Sequence, residues 1–350
     1  MKALSNIDRV QISKEVMLLL LSLYESKGKS FYYDDLFSRD QNAFERKTMA
    51  VNIVAIANYL NLNMTDARIR LLSKKNMAPR TKDEHGLSNI KTALNQLHRN
   101  PESFELLVNE VSNLAKGLSR EYEPITYQTY ERQDEGVFRA RNVSKNEQLD
   151  QLLKLLSRSI NQNTHELTQL IVNFYVDFMN MEIFTVHNDL IGMIILYALL
   201  LKHFNVFKYV SFFKYFSQIK DAWQSGLITA NYYWSNGFAQ TDMLDRLLVD
   251  LLIKAYEEVD QLAHEYEFEK KLNKSDNIEN SVLKLGEVFA KEDLRKRHPN
   301  VSDATIDRTL KRLKDENKIR PIGRGRGAKW QRIIKGHKKL SMEQLSLFND

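Results

Sequence analysis

Hydrophobic residues recur every three or four positions along most of the chain, which is the period of helices that bury one face. In the first 115 residues this pattern predicts helices at 12–24, 44–61 and 90–97. The segment from Leu190 is apolar on every side, so we expect it at the centre of a helical bundle. The helices predicted in the second, more apolar half are 149–160, 163–180, 189–203, 207–225 and 241–266.

Two polar stretches interrupt these helices. Residues 119–146 are polar and contain Pro124 and Gly136, which favours a loop or a short β-hairpin. Residues 269–280, EKKLNKSDNIEN, have the composition of an exposed linker. The predicted regions are an N-terminal helical region (1–115), a helical core (116–268), the linker (269–280) and the C-terminal segments described below.

The composition favours a mainly α-helical, cytoplasmic protein. There are 12 Gly and 5 Pro among 350 residues, about 5% where ~12% is usual, which argues against a β-sandwich or a Rossmann sheet. The chain has no cysteine, which excludes a disulfide scaffold and a thiolate metal site. The longest apolar run, 190–201, has 12 residues. A membrane span needs about 20, so we expect no membrane partner.

Positive charge is concentrated near the C-terminus. Residues 291–340 contain 17 Lys and Arg against 6 Asp and Glu, a net charge of +11, whereas the rest of the chain has a net charge of −5. This asymmetry indicates a module that faces nucleic acid, attached to a mildly acidic body.

Residues 281–335 have the pattern of a winged helix-turn-helix domain. Segment 281–290 is predicted as one helix and 291–297 as a short second helix. Ser302 suits the N-cap of a third helix over 303–318. Two short strands follow, joined by an Arg-Gly-Arg-Gly tip. Three helices and a hairpin with a basic tip are the layout of that domain.

The third helix of this domain is predicted to contact duplex DNA. Ile306, Leu310 and Leu313 recur on one face and are expected to be buried, which leaves a polar and basic face outside. The hairpin tip can approach a minor groove or phosphates. The alternative is a winged helix that packs on protein and uses its basic face for solubility. The predicted DNA-contacting residues are Thr305, Arg308, Thr309, Lys311, Arg312, Arg324, Arg326 and Lys329.

The last residues, 336–350, are predicted as a flexible tail with a docking peptide. A mobile chain end with two leucines and a phenylalanine is costly to expose unless something receives them. Residues 344–348 resemble the Gln-Leu-(Ser/Asp)-Leu-Phe peptide by which bacterial replication and repair proteins dock on the DNA sliding clamp. The alternative is that these side chains fold back onto the protein. The clamp-binding residues implied by the resemblance are Gln344, Leu345, Leu347 and Phe348.

Several features of the helical body together resemble the Fic domain, a helical fold that transfers AMP from ATP to protein hydroxyls. The family's active loop is His-Pro-Phe-x-(Asp/Glu)-Gly-Asn-Gly-Arg-x-x-Arg, followed by a leucine-rich helix. Here Ile-Phe-Thr-Val-His at 183–187 matches the residues that lead into this loop. His187 and Gly192 have the spacing of the motif's histidine and first glycine, and leucines follow at 199–201. Upstream, 136–143 resembles the flap on which targets dock, and larger family members often end in a winged helix.

The resemblance implies that His187 is the general base, but most of the other catalytic positions differ from the family's motif. A triphosphate needs charge compensation, which apolar side chains cannot supply. The family's inhibitory helix aligns near 48–53, with Asn52 in place of its glutamate. His187 would then cap the central helix through a hydrogen bond. The acidic, Asn, second Gly and two Arg positions are occupied by Ile191, Met193, Ile194, Ile195 and Ala198.

The sequence therefore predicts a non-enzymatic DNA-binding regulator or adaptor, in a bacterium or its phage, with a degenerate Fic-like body and a winged helix. The expected partners are duplex DNA and the sliding clamp, and a homodimer is left open. No cofactor and no metal site are expected. The alternative is an active Fic-type nucleotidyltransferase, with His187 as general base and with ATP and magnesium. A protein-interaction scaffold is a third hypothesis.

Overall fold

The computed structural model describes residues 1–9, 11–129, 143–271, 274–299, 301–323 and 329–333. The chain forms two compact units, Met1–Ala263 and His264–Asp350. The N-terminal helices and the core helices, predicted as separate regions, therefore lie in one unit. No helix among the described residues is long and apolar enough to cross a membrane.

The first unit is helical, as the apolar period predicts. A single isolated bridge, between Tyr127 and Phe184, is the β-pairing found among its described residues. Residues 130–142, the middle of the predicted loop or short β-hairpin over 119–146, lie outside the described part of the chain. The helices are α1 Lys14–Gly28, α2 Ser30–Phe37, α3 Gln41–Tyr59, α4 Asp66–Lys74, α5 Lys82–Arg99, α6 Val108–Leu118, α7 Lys145–Gln162, α8 Leu167–Met181, α9 Asn188–His203, α10 Phe212–Gln218, α11 Lys220–Tyr232 and α12 Asp242–Lys271.

Polar side chains determine where several of these helices begin. The hydroxyls of Ser13, Thr65 and Thr81 accept hydrogen bonds from amides in the first turns of α1, α4 and α5. Ser144 and Glu147 form a reciprocal capping box at the start of α7. Each cap satisfies amides that have no partner within the helix, so the boundaries follow from local sequence.

Helices α8 and α9 form the centre of the first unit. Every residue of α9 from Leu190 to Leu201 is buried, and most of α8 is buried with it. Gly192 allows close packing of the two helices, because a Cβ at this position would lie 3.1 Å from Tyr175 and 3.3 Å from Phe178. The prediction of a central helix at 189–203 is confirmed.

A buried histidine joins α5 to this centre. Nδ1 of His98 lies 2.7 Å from the hydroxyl oxygen of Tyr197 on α9. Burial of the imidazole lowers the pKa of His98 to about 4. The folded protein thus holds His98 neutral at a pH where the unfolded chain protonates it.

We expect this histidine to make the protein sensitive to acid. The pKa of His98 is lower in the folded state than its ordinary value of 6.5. Its contribution to stability is therefore complete above pH 6.5 and is lost as the pH falls towards 4, by about 3 kcal/mol in total. Urea unfolding of the wild type and His98→Gln at a series of pH values measures this effect. If the free energy of unfolding changes with pH by the same amount in both proteins between pH 6.5 and 4, this expectation is contradicted.

After the end of α12, the described residues of the second unit form three helices and a small antiparallel sheet. The strands are β1 (Val288–Ala290), β2 (Ile319–Ile322) and β3 (Lys329–Arg332), in the order β1-β3-β2. Trp330 of the central strand lies opposite Phe289 on one side and opposite Pro321 on the other. One apolar cluster, which includes Ile306, Leu310 and Leu313 of the third helix, holds these elements together. The elements are α13 Lys274–Lys284, β1 Val288–Ala290, α14 Lys291–Arg297, α15 Asp303–Asp315, β2 Ile319–Ile322 and β3 Lys329–Arg332.

Two boundaries predicted from the sequence differ from the structure. The segment 281–290 is not one helix, because α13 ends at Lys284 and residues 288–290 pair with β3. The segment 269–280, predicted as an exposed linker, consists largely of helix, since α12 continues to Lys271 and α13 begins at Lys274. Ile278 on α13 is buried in the apolar cluster of the second unit, which explains why this polar segment is helical.

Candidate functional site

His187 lies at the N-cap of the central helix α9, with a left-handed backbone (φ 59°). Its side chain makes no capping hydrogen bond to the helix. Instead, its Nε2 lies 2.8 Å from Oε2 of Glu123, and its ring stacks on Tyr122 at a centroid distance of 5.5 Å. The predicted position at the helix start is confirmed, and the predicted capping hydrogen bond is wrong.

The segment that leads to His187 is held by its backbone. The amide of Gln128 donates to the carbonyl oxygen of Ile183, and the amide of Thr185 donates to that of Thr126. The side chain of Asn188 both accepts from the amide of Phe184 and donates to its carbonyl oxygen. These bonds fix the turn before α9. The flap-like segment 136–143 lies almost entirely outside the described residues.

The chain is similar to the crystal structure of a Fic family protein from Desulfovibrio desulfuricans G20, with 13% identity, a TM-score of 0.55 and coverage of 94% of this chain and 98% of that chain. The chain has the Fic-domain fold. At this identity the likeness extends to the fold alone.

Two further solved structures show weaker similarity to the chain. One is a Fic domain containing signaling protein from Bacteroides thetaiotaomicron VPI-5482, with 12% identity, a TM-score of 0.46 and coverage of 71% of this chain and 97% of that chain. The other is Fic-1 from C. elegans, with 12% identity, a TM-score of 0.47 and coverage of 73% of each chain. No family sequence profile and no curated protein sequence matches the chain.

In this example of the Fic fold, the residues after His187 are helical and buried. Helix α9 begins at Asn188, directly after the histidine. Ile191, Met193 and Ile194 are inaccessible to solvent. A loop that binds phosphate must present backbone amides to the ligand, whereas the amides of α9 beyond its first turn are engaged within the helix. At the position that the sequence resemblance gives to the Fic motif, the chain therefore has a buried helix whose amides beyond the first turn are engaged.

Asn52, on α3, is completely buried and is bonded to the start of α10. Its Oδ1 accepts hydrogen bonds from the hydroxyl of Ser211, at 2.7 Å, and from the amide of Phe213, at 3.3 Å. Asn52 thus satisfies a helix N-terminus in the core. A structural role accounts for this side chain, which the sequence resemblance places at the inhibitory glutamate.

The second unit contains the basic side chains predicted to contact DNA. Arg308 and Lys311 are exposed on the side of α15 opposite its buried face, and neither makes an ion pair with the described residues. Thr305 is half-buried, with its hydroxyl 2.9 Å from that of Ser302, and Lys329 is exposed at the start of β3. The predicted contacts Arg324 and Arg326, and the clamp-binding residues of the tail, lie outside the described residues.

Two of the predicted DNA contacts lie against α13, and for Thr309 the structure contradicts the prediction. Thr309 is 2% exposed, and its hydroxyl lies 2.9 Å from that of Ser275 on α13. Arg312 is held by an ion pair with Glu279 on α13, at 2.6 Å, and lies 3.5 Å from Asp276. Both side chains contact α13, but that of Arg312 keeps 39% of its surface exposed. Thr309 is therefore not available to a ligand, whereas Arg312 would have to leave Glu279 to bind one.

The other flank of α15 is fastened to α14. Lys291 pairs with Asp307 at 2.5 Å, and Nε of Arg295 donates to Asp303 at 2.6 Å. Helix α15 therefore lies between two sets of ion pairs, and only its outer side remains open. Further exposed basic residues of this unit that make no ion pair with described residues include Lys296, Arg297 and Lys314.

No group of three or more His, Asp or Glu side chains suited to a metal ion occurs within the described ranges.

Proposed function

We propose that this protein is a non-enzymatic DNA-binding regulator or adaptor. Its second unit would be a winged helix-turn-helix domain that binds duplex DNA, attached to a Fic-fold body whose catalytic site is lost. The tail residues Gln344 to Phe348 would add a second tether at the sliding clamp, on the strength of their resemblance to clamp-binding peptides.

One observation carries the DNA-binding proposal: the outer side of α15 presents Arg308 and Lys311 without acidic partners, while both flanks are fixed by ion pairs. Fixed flanks hold the helix in one orientation, so its outer side is preorganised for a rigid ligand. Exposed guanidinium and ammonium groups suit phosphates and base edges of the major groove. The order of helices and strands in this unit supports the same proposal.

The charge distribution within the unit supports a ligand with many phosphates. Of its basic residues, Lys291, Arg295 and Arg312 are neutralised by acidic neighbours. Several others are exposed without such neighbours, so the unit retains a positive field. A protein that needed this charge for solubility alone would have no reason to concentrate it on α15 and at the end of α14.

We expect DNA affinity to fall steeply with salt. Full-length protein titrated into fluorescently labelled duplex DNA should give a plot of log affinity against log salt with a slope near −4, if about four phosphates are contacted. This corresponds to roughly a hundredfold loss of affinity between about 50 and 200 mM salt. Fluorescence anisotropy is the measurement. Absence of binding at low salt would refute the proposal and favour the scaffold hypothesis.

The loss of catalysis is supported by the burial of the residues that follow His187.

The alternative is nucleotidyl transfer with His187 as base. One observation favours it: the hydrogen bond between His187 and Glu123 is an arrangement that orients an imidazole. Such an enzyme must bind ATP. We expect calorimetry at millimolar ATP and Mg²⁺ to give no binding heat. ATP binding together with AMP transfer that is lost in His187→Ala would support the alternative.

A further inference from the structure

Helix α1 has large apolar side chains on two opposite sides. Val16, Leu20 and Leu23 are buried against the body of the first unit. On the other side Leu18 is 68% exposed and Leu21 is 66% exposed. Adjacent exposed leucines on a helix whose opposite side is already buried form an apolar surface suited to contact with another apolar surface.

The outer side of α1 has the spacing of a coiled-coil seam. Lys14, Leu18, Leu21 and Glu25 follow one another at intervals of four, three and four residues. This spacing places them in one stripe along the helix, directly opposite the buried face. The stripe has two leucines in its middle and one charge of each sign at its ends. We call these four residues the α1 stripe.

The α1 stripe is complementary to itself when it is reversed. In an antiparallel pair of α1 helices related by a twofold axis, Leu18 of one copy faces Leu21 of the other. The same axis places Lys14 of each copy opposite Glu25 of the other. Closed dimers need a surface patch that matches its own rotated image, and this stripe does so both in shape and in charge.

The two end charges are available for such pairing. Lys14 and Glu25 are exposed and make no ion pair with any residue that the structure describes. Their neighbours on the flanks of the helix are already engaged within the unit, because Glu15 pairs with Arg246 and Tyr24 donates to Glu166. The fixed flanks hold α1 in place, and the stripe between them is left to a partner.

We propose that α1 packs antiparallel against α1 of a second copy of this chain, which makes the protein a twofold homodimer. Burial of four leucines, two from each copy, drives the association, and the two Lys14–Glu25 pairs set its direction and register. The proposal does not rest on DNA binding or on the fate of the catalytic site. A dimer would present two α15 helices, which suits a DNA site with two halves.

Sedimentation velocity of the full-length protein over a range of concentrations tests the proposal. We expect a species of twice the chain mass of 41.0 kDa. Leu18→Glu combined with Leu21→Glu should give monomer at every concentration, while circular dichroism remains that of the wild type. The matched control is Ile228→Glu, which alters another exposed apolar side chain and should leave the dimer intact.

A charge exchange tests the antiparallel register. Lys14→Glu and Glu25→Lys each place like charges opposite one another at two points, so each should weaken the dimer by roughly tenfold. The double variant restores both pairs and should recover wild-type affinity. A wild-type monomer at all concentrations, or a dimer that survives the double leucine variant, overturns the proposal. A double charge variant no better than the singles overturns the register.

Discussion

Reversing two charges on the outer side of α15, with Arg308→Glu and Lys311→Glu together, is expected to lower the affinity for duplex DNA about a hundredfold. Each side chain is exposed and without an acidic partner, so its charge is available to a phosphate or a base edge. A lost contact of this kind costs about 1–3 kcal/mol. The slope of log affinity against log salt should also become shallower by about two. Fluorescence anisotropy with labelled duplex DNA measures both quantities.

The matched control for this variant is Arg70→Glu with Lys74→Glu. These residues are also basic and exposed on a helix, α4, but they belong to the first unit. The control changes the net charge of the protein by the same amount and should leave DNA affinity within about threefold, because long-range charge effects are screened. If both variants lose affinity equally, binding reflects net charge and not a site on α15.

Replacing Asp177 with alanine is expected to destabilise the first unit by about 3–5 kcal/mol. This carboxylate is completely buried on α8 and accepts hydrogen bonds from the amides of Ala3 and Leu4, both at 2.9 Å, and of Lys2, at 2.7 Å. It also accepts from Nε1 of Trp234 at 2.7 Å. The variant leaves four donors without their acceptor and detaches the start of the chain. Urea unfolding measures the loss.

Two further variants serve as controls for Asp177→Ala. Asp177→Asn keeps the shape of the side chain and one carbonyl oxygen. We therefore expect its free energy of unfolding to lie between those of Asp177→Ala and the wild type. Asp150→Ala removes a carboxylate that pairs with Lys154 on the surface, and it should cost less than about 1 kcal/mol. A loss of less than 1 kcal/mol in Asp177→Ala would mean that the N-terminal segment contributes little to the fold.

Predictions that depend on local sequence agree best with the structure. The central helix α9 follows from a run of residues that are apolar on every side, because such a helix has no face suited to water. The cap of α15 follows from Ser302, whose hydroxyl accepts from the amide of Thr305. Both features depend on residues a few positions apart, so the pattern along the chain was sufficient to predict them.

Predictions that depend on distant partners agree less well. Strand β1 has three residues and exists because it pairs with β3, about 40 positions further along the chain. Thr309 and Arg312 have the residue types of a DNA-binding helix, but the position of α13 determines that Thr309 is buried and that Arg312 pairs with Glu279. The sequence pattern of α15 identifies its buried face. It does not identify which flank of the helix another helix will contact.

At the candidate catalytic site, the sequence by itself determined that the apolar residues after His187 cannot compensate a triphosphate. It also determined where the positive charge lies and that the body would be helical. Only the tertiary structure decided that α9 begins directly after His187, that the histidine is bonded to Glu123, and that Asp177 holds the start of the chain. Charge and periodicity are properties of the chain, whereas a hydrogen bond between residues 64 or 175 positions apart depends on how the helices pack.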